Sequence, residues 1–218
     1  MLQDAMERNA INPGDVLGVI LAGGAGRRMG GVDKALVLLG GRPLAAHVAA
    51  RLAPQLEAGR LMLNSNGESG QFAGLGLPLL PDGMAARPGP LAGLLAAMRA
   101  AEASGAGWVL SAPVDTPFLP SGLVARLAAA SRGGAITLAA SAGGLCQVCG
   151  LWPVELAGPL AESIDSGQNK VMDFVERHPW ARVEFPPEVH AGRMIDPFHN
   201  LNTPADLALA EDFIGGGA

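Results

Sequence analysis

No stretch of this 218-residue chain approaches the roughly 18 consecutive apolar residues of a membrane span, although 49% of its residues are apolar. The first residues, MLQDAMERNAINPGD, carry Asp4, Glu7 and Arg8 and have no apolar core of the kind a secretory signal needs. Residues 1–14 read as a flexible lead-in, 15–214 as one domain, and Gly215–Ala218 as a loose tail. Positive charge is scarce: the net charge is −5, which argues against nucleic-acid binding. Lysine occurs only at Lys34 and Lys170, against 13 arginines, so the rare lysines point weakly to places that need a compact ammonium.

Cysteine is equally rare. Cys146 and Cys149 make a C-x-x-C without a second ligand pair, which is poor evidence for zinc. Their surroundings, Leu145 to Trp152, read as a strand, which disfavours a thioredoxin-like motif. A regular strand would send the two side chains to opposite faces, as small packed thiols in a reducing cytoplasm.

The chain has no internal repeat and no long linker, and its elements alternate. Val16–Leu21 is a continuous apolar run, the mark of a buried strand. Further strands are expected at 60–63, 77–80, 107–114, 135–140, 145–151 and 182–185, with 135–140 and 145–151 as a candidate antiparallel pair. Helices are expected at 43–52, from Pro90 through Met98, and at 119–132, 154–166, 171–177 and 205–213. Thr203 suits the N-cap of the last, with Pro204 first and Asp206 third. His47 on the first helix reads as structural. This alternation predicts an α/β fold: one Rossmann-like doubly wound domain, its central sheet mostly parallel, with helices on both faces. Ligands in such folds sit at the carboxyl ends of the strands.

The segment after the first strand is unusual. Leu21–Lys34, LAGGAGRRMGGVDK, holds Gly23, Gly24, Gly26, Gly30 and Gly31 within nine positions. Glycines let successive backbone N–H groups converge on an anion. Arg27, Arg28, Lys34 and Arg42 fall within 16 residues and supply cations in an otherwise acidic chain. There is no G-x-x-x-x-G-K-[ST], so this is not a P-loop, and Arg28-Met29 stand where a dinucleotide fingerprint wants its third glycine. Strand, glycine loop and cations read as a nucleotide-phosphate site. Polar residues also end the later strands: Asn64, Asp82 and Asp115. Each could be turn or capping chemistry. Their common placement after strands supports one shared site, with Asp115 as the candidate metal ligand.

The string L-A-G-G-x-x-x-R-M-G-G-x-D-K resembles the signature of molybdenum cofactor guanylyltransferases, within the wider nucleotidyltransferase group. Asp115-Thr116-Pro117 resembles that family's metal-binding segment, Pro88–Gly93 a segment near its reaction centre, and Asn200-Leu201-Asn202-Thr203-Pro204 its N-x-N-T-P. The resemblance implies GMP transfer from Mg-GTP to molybdopterin, with Mg²⁺ as cofactor and pyrophosphate as product. It implies catalytic roles for Lys34, Arg28 and Asp115, with the metal on Asp115. It implies nucleotide contacts from Leu21, Ala22, Gly23, Gly24, Lys34, Asn64, Asp82 and Asp115. Acceptor contacts would come from Gly31, Gly89, Gly93, Lys170, Asn200 and Asn202. It further implies a cytoplasmic enzyme whose partners are GTP, molybdopterin, other cofactor-biosynthesis proteins and molybdoenzyme chaperones, with neither nucleic acid nor membrane. One departure stands out: Cys146-Gln147-Val148 occupies a place where the family often has His-Pro. A cytidylyl or sugar nucleotidyltransferase and a non-catalytic GTP-binding delivery protein are the alternatives.

Overall fold

The computed structural model describes residues 11–23, 33–83, 89–190 and 192–214. In chain order these form β1 (Val16–Leu21), β2 (Leu38–Leu39), β3 (Arg42–Pro43), α1 (Leu44–Leu52), β4 (Leu61–Asn64), α2 (Ser69–Phe72) and β5 (Leu79–Leu80). Then come α3 (Pro90–Ala103), β6 (Trp108–Pro113), α4 (Leu123–Ala130), β7 (Ile136–Ser141), β8 (Gly144–Pro153), α5 (Ala157–Asp165) and α6 (Val171–Val175). The chain continues through β9 (Trp180–Glu184), β10 (Glu188–His190), β11 (Arg193–Ile195) and α7 (Pro204–Ile214).

Seven strands form one sheet in the order β5-β4-β1-β6-β8-β7-β9. β1 pairs in parallel with β4 and β6, β4 with β5, and β7 with β9. β8 alone among these runs antiparallel to both neighbours, and its hairpin with β7 is the pair expected from the sequence. Every residue of β1 is buried, because both of its faces are covered. Val16 and Ile20 face a core with α1 and α4, whereas Leu17, Val19 and Leu21 face one with α3, α5 and α6. Helices therefore cover both faces, as the alternation predicted. The spacing of Leu44, Ala45, Val48 and Leu52 gives α1 one apolar stripe, and Leu91, Leu94, Leu95 and Met98 do the same for α3.

Some boundaries differ from expectation for local reasons. The helix expected over 119–132 begins at Leu123, because Pro120 offers its carbonyl to Leu123 N–H and Gln55 Oε1 accepts from Val124 N–H at 3.0 Å. The hairpins β2–β3 and β10–β11 have strands of two and three residues, too short to show a period. His47 Nε2 donates to the Leu39 carbonyl at 2.8 Å, the structural role expected of it. The cysteine strand is not regular. Leu138 pairs with Gly150 and Ala140 with Leu145, so β8 bulges through Cys146–Cys149 and the strict alternation that would separate the thiols is lost.

The carboxyl ends of β1, β4, β5 and β6 meet at one edge, where α3 crosses closely. A Cβ on Gly93 would lie 2.2 Å from Asn64 Oδ1 and 3.0 Å from Leu21 Cδ2. Gly93→Ala gains about 1 kcal/mol of helix propensity but overpacks a buried amide, which costs about 1–3 kcal/mol. A lowered Tm is expected; an unchanged or raised one would mean that Asn64 yields freely.

Candidate active site

Two polar groups occupy the carboxyl edge of the sheet. The first is built on β4 and β5. Asn64 is 1% exposed and Asp82 8%, so each must find partners. Asn64 Nδ2 donates to the Leu80 carbonyl at 3.0 Å and to Asp82 Oδ1 at 2.7 Å. Asn66 Nδ2 donates to Asp82 Oδ2 at 2.7 Å, and Asp82 N–H returns a bond to Asn66 Oδ1 at 2.9 Å. Both Asp82 oxygens thus hold an amide in place. The start of the glycine loop lies against this network: a Cβ on Gly23 would be 3.5 Å from Asn64 Oδ1 and 3.9 Å from Asp82 Oδ2. Ala22 N–H donates to the Asn64 carbonyl at 2.9 Å, and Val114 N–H to the Leu21 carbonyl at 3.1 Å, so Leu21 and Ala22 are wedged between the ends of β4 and β6.

The second group surrounds Lys34. Its ammonium donates to Asp115 Oδ2 at 2.5 Å and to Asn202 Oδ1 at 2.6 Å. Lys34 opens a single 3-10 turn, Lys34–Leu36, whose first donors have no partner within the turn. Asp33 supplies one, its Oδ1 accepting from Ala35 N–H at 2.9 Å, while its Oδ2 accepts from Ser65 Oγ–H at 3.4 Å. Asp33 therefore fixes the direction of Lys34 and ties the turn to the end of β4. Asp115 follows β6. Its second oxygen, Oδ1, is buried and has no hydrogen-bond partner among the described residues. A buried carboxylate oxygen left bare is what a cation would complete. No group of three or more His, Cys, Asp or Glu among the described residues is arranged to hold a metal. A lone carboxylate suits an ion shared with substrate phosphates better than one held in a protein cage.

The loop between β11 and α7 delivers Asn202. Leu201 is fully buried and its N–H donates to the Asp115 carbonyl at 2.9 Å. Asp196 anchors the other end: Oδ1 accepts from Phe198 N–H at 2.9 Å, and Oδ2 from Ser141 Oγ–H at 2.7 Å and Gly143 N–H at 3.1 Å. The loop is therefore fastened to the β7–β8 hairpin, to the Asp115 segment and to α7. At α7, Asp206 Oδ2 accepts from Thr203 N–H at 2.8 Å and Asn202 N–H at 3.0 Å, while Asp206 N–H donates to Thr203 Oγ1 at 3.2 Å. This reciprocal cap is the one expected from the sequence.

The fold thus gathers Leu21, Ala22, Gly23, Asn64 and Asp82 in one network and Lys34, Asp115 and Asn202 in another, with Asp33 and Ser65 between them. Gly89 caps α3 at φ +81°, a conformation that glycine takes without strain, and Gly93 is buried under Asn64. Asn200 and Lys170 are exposed and join neither network among the described residues. Lys170 precedes Val171, which lines an apolar crevice with Leu21, Pro90 and Trp152, so its backbone stands at the same edge. Gly24, Arg28 and Gly31 lie outside the described residues. Sequence reasoning missed Asn66 and the bracing role of Asp33. The second was accessible, since an Asp just before a turn is an N-cap signal.

Comparison with known proteins identifies the family and the fold. The MobA-like NTP transferase domain family matches residues 18–183. Molybdenum cofactor guanylyltransferase of Cereibacter sphaeroides is 49% identical over 200 residues, covering 91% of this chain and 97% of the relative. The enzyme of that name from Rhodopseudomonas palustris is 46% identical over 198 residues, covering 88% and 91%. Among solved structures, molybdopterin-guanine dinucleotide biosynthesis protein A of Archaeoglobus fulgidus superposes with TM-score 0.67 at 22% identity, over 92% of this chain and 98% of that one. The 2-C-methyl-D-erythritol 4-phosphate cytidylyltransferase of Thermus thermophilus gives 0.59 at 20% identity, over 89% and 96%. At these identities the structural likenesses establish the fold.

The Thr203 side chain, then the backbone N–H groups of Thr203 and Asn202, hydrogen-bond to the Asp206 carboxylate and hold its pKa below the ordinary value. A depressed folded-state pKa gives stability that is full above the ordinary carboxylate range and is lost as pH falls through the depressed value. Asp206→Asn should therefore melt below wild type at neutral pH, with the gap closing in acid. Tm measured against pH for both proteins checks this; a gap that stays constant would remove Asp206 from the cap.

Proposed function

Because the chain belongs to the MobA-like NTP transferase family, we propose that it transfers GMP from GTP to molybdopterin, forming the molybdopterin guanine dinucleotide cofactor and releasing pyrophosphate. The observation that carries this reading is the Lys34 ammonium held between Asp115 and Asn202, beside a buried Asp115 oxygen with no partner among the described residues. That arrangement sets a mobile cation beside a cation-seeking carboxylate at the carboxyl edge of the sheet. No protein nucleophile is required: an oxygen of the acceptor's terminal phosphate bonds to the α-phosphorus of GTP. The bond from α-phosphorus to the bridging oxygen breaks, and pyrophosphate keeps its electrons. What the protein contributes is alignment and charge neutralisation.

The roles follow from position. Lys34 exchanges its bonds to Asp115 and Asn202 for the α-phosphate of the bound nucleotide. Arg28, Gly24 and the rest of the glycine loop cradle the phosphates. Asp115 would hold a divalent ion, which we assign as Mg²⁺ and which, when bound, neutralises phosphate charge on the leaving side. Asn64 and Asp82, beside Gly23, read the base or the ribose. Asp82 does so with both oxygens already engaged, although each keeps a further lone pair. Gly31, Gly89, Gly93, Lys170, Asn200 and Asn202 form the acceptor side, Asn202 by steadying Lys34. Residues 15–214 act as one transferase domain. No helix among the described residues is long and apolar enough to cross a membrane. We place the enzyme in the cytoplasm, where other cofactor-biosynthesis proteins and molybdoenzyme chaperones would supply and receive the cofactor.

If Lys34 acts mainly on charge that develops during transfer, Lys34→Ala should lower kcat by on the order of 10² while GTP affinity changes little. Single-turnover kinetics with separately measured GTP binding tests this, and near wild-type turnover would sink the role. The choice of base is tested by pyrophosphate release from wild type with GTP or CTP and molybdopterin. Two polar bonds left unmade by the wrong base amount to discrimination on the order of 10² or more in kcat/KM. Equal use of CTP would defeat the guanylyl assignment, and release of no pyrophosphate from either would point to the delivery protein.

A further inference from the structure

Cys146 and Cys149 have no part in nucleotide transfer as assigned to Lys34 and Asp115, yet the fold brings them together beside it. Opposite the step from Leu138 to Ala140 on β7, β8 runs from Gly150 back to Leu145. Two extended residues advance roughly 7 Å and five roughly 17 Å, so the segment containing both cysteines must fold back on itself. The fold-back turns both cysteines toward the same core, Cys149 within it and Cys146 packed against it. The turn is fastened through Ser111, whose hydroxyl donates to the Val148 carbonyl at 2.8 Å and accepts from Trp152 Nε1–H at 2.7 Å.

The place matters as much as the pairing. Ser111 and Gly150 are the last pair between β6 and β8. Beyond them β6 runs on to Asp115 and β8 folds through the cysteines. Cys149 is fully buried in the core that includes Val114, Phe185 and Phe198, and Cys146 packs on that core while remaining half-buried. Val114, which shares that core, is the residue immediately before Asp115. We propose that Cys146 and Cys149 are a peroxide-reactive dithiol, a modification site beneath Asp115 whose disulfide form transfers nucleotide more slowly.

Cys146 is the attacking sulfur, because it is the accessible one and because of its donors. The Cys149 S–H, followed by two backbone N–H groups, holds its thiol below the ordinary range despite burial and the Asp115 charge. Donation to Cys146, together with burial, pushes the Cys149 thiol well up. The Cys146 thiolate attacks one oxygen of hydrogen peroxide, the O–O bond breaks, and hydroxide leaves and takes up a proton. The Cys149 sulfur then attacks the resulting sulfenic sulfur, the S–O bond breaks, and a second water carries away the Cys149 proton. Two thiols and one peroxide give one disulfide and two waters, two electrons passing to the peroxide. A disulfide imposes its own separation and dihedral on the turn. Small displacements at a phosphoryl-transfer site are enough to slow it.

Peroxide treatment of the purified full chain, followed by unfolding, alkylation and mass measurement, tests the site without any substrate and so independently of the guanylyl assignment. The expected product has lost the mass of two hydrogens, resists alkylation at both cysteines, and reverts with dithiothreitol. Cys149→Ser should instead trap dimedone on Cys146, and Cys146→Ser should leave Cys149 a free thiol. Transfer activity should fall on the order of tenfold on oxidation and recover on reduction. Two alkylatable thiols after excess peroxide would overturn the site in the wild type alone, whatever the variants do. A complete disulfide with unchanged turnover would overturn its effect on the enzyme.

Discussion

A single ammonium, that of Lys34, joins three parts of the chain that lie far apart in sequence. It meets Asp115 from the end of β6 and Asn202 from the entry to α7, while its own turn is braced by Asp33 on Ser65 at the end of β4. The Lys34 and Asp115 side chains are 22% and 16% exposed. For a pair this far withdrawn from water, the cost of desolvating both charges offsets much of their attraction, so it is weak evidence for stability. Its value is positional: it keeps a positive and a negative group poised at one point without shielding either from a ligand. The scaffold serves that point. Leu201 N–H on the Asp115 carbonyl holds the β11–α7 loop against β6, and Asp196 holds the loop's other end against the β7–β8 hairpin.

How much of this was legible in the sequence depended on whether the signal was local. β1 announced itself because a strand covered on both faces reads as an unbroken apolar run. The sheet's carboxyl edge could be found because polar residues followed apolar runs at Asn64, Asp82 and Asp115. The cap of α7 was readable from Thr203, Pro204 and Asp206 alone. Pairings across long separations were not. Nothing near Asp82 says that its oxygens are taken by Asn64 and Asn66, and Lys34 meets Asn202 across 168 positions. The bulge in β8 was hidden for a different reason. Valine, cysteine and leucine suit a strand, and periodicity cannot show that β7 offers one residue where β8 offers four.

Gly93 illustrates a third kind of information. A glycine inside α3 reads as a weak point in a helix, or as a ligand-approach position. In the fold its missing Cβ is space that Asn64 Oδ1 fills. A residue can thus belong to a site without facing a ligand, by letting another side chain stand where it must.

The same logic bears on how one fold serves different bases. On the proposed assignment the Lys34–Asp115 pair would meet phosphate and charge, which GTP and CTP share, and the fold itself is also that of a solved cytidylyltransferase. Discrimination would then have to arise where the base edge or the ribose lies, a role we proposed for the braced pair Asn64 and Asp82. Each oxygen of Asp82 holds an amide, and the Asn64 amide donates both to Asp82 and to the Leu80 carbonyl. If they face the base, donors and acceptors fixed this firmly would not turn to suit another one. Selectivity then arises from unpaired groups rather than from extra attraction, because a rigid acceptor facing the wrong edge stays desolvated and unmet.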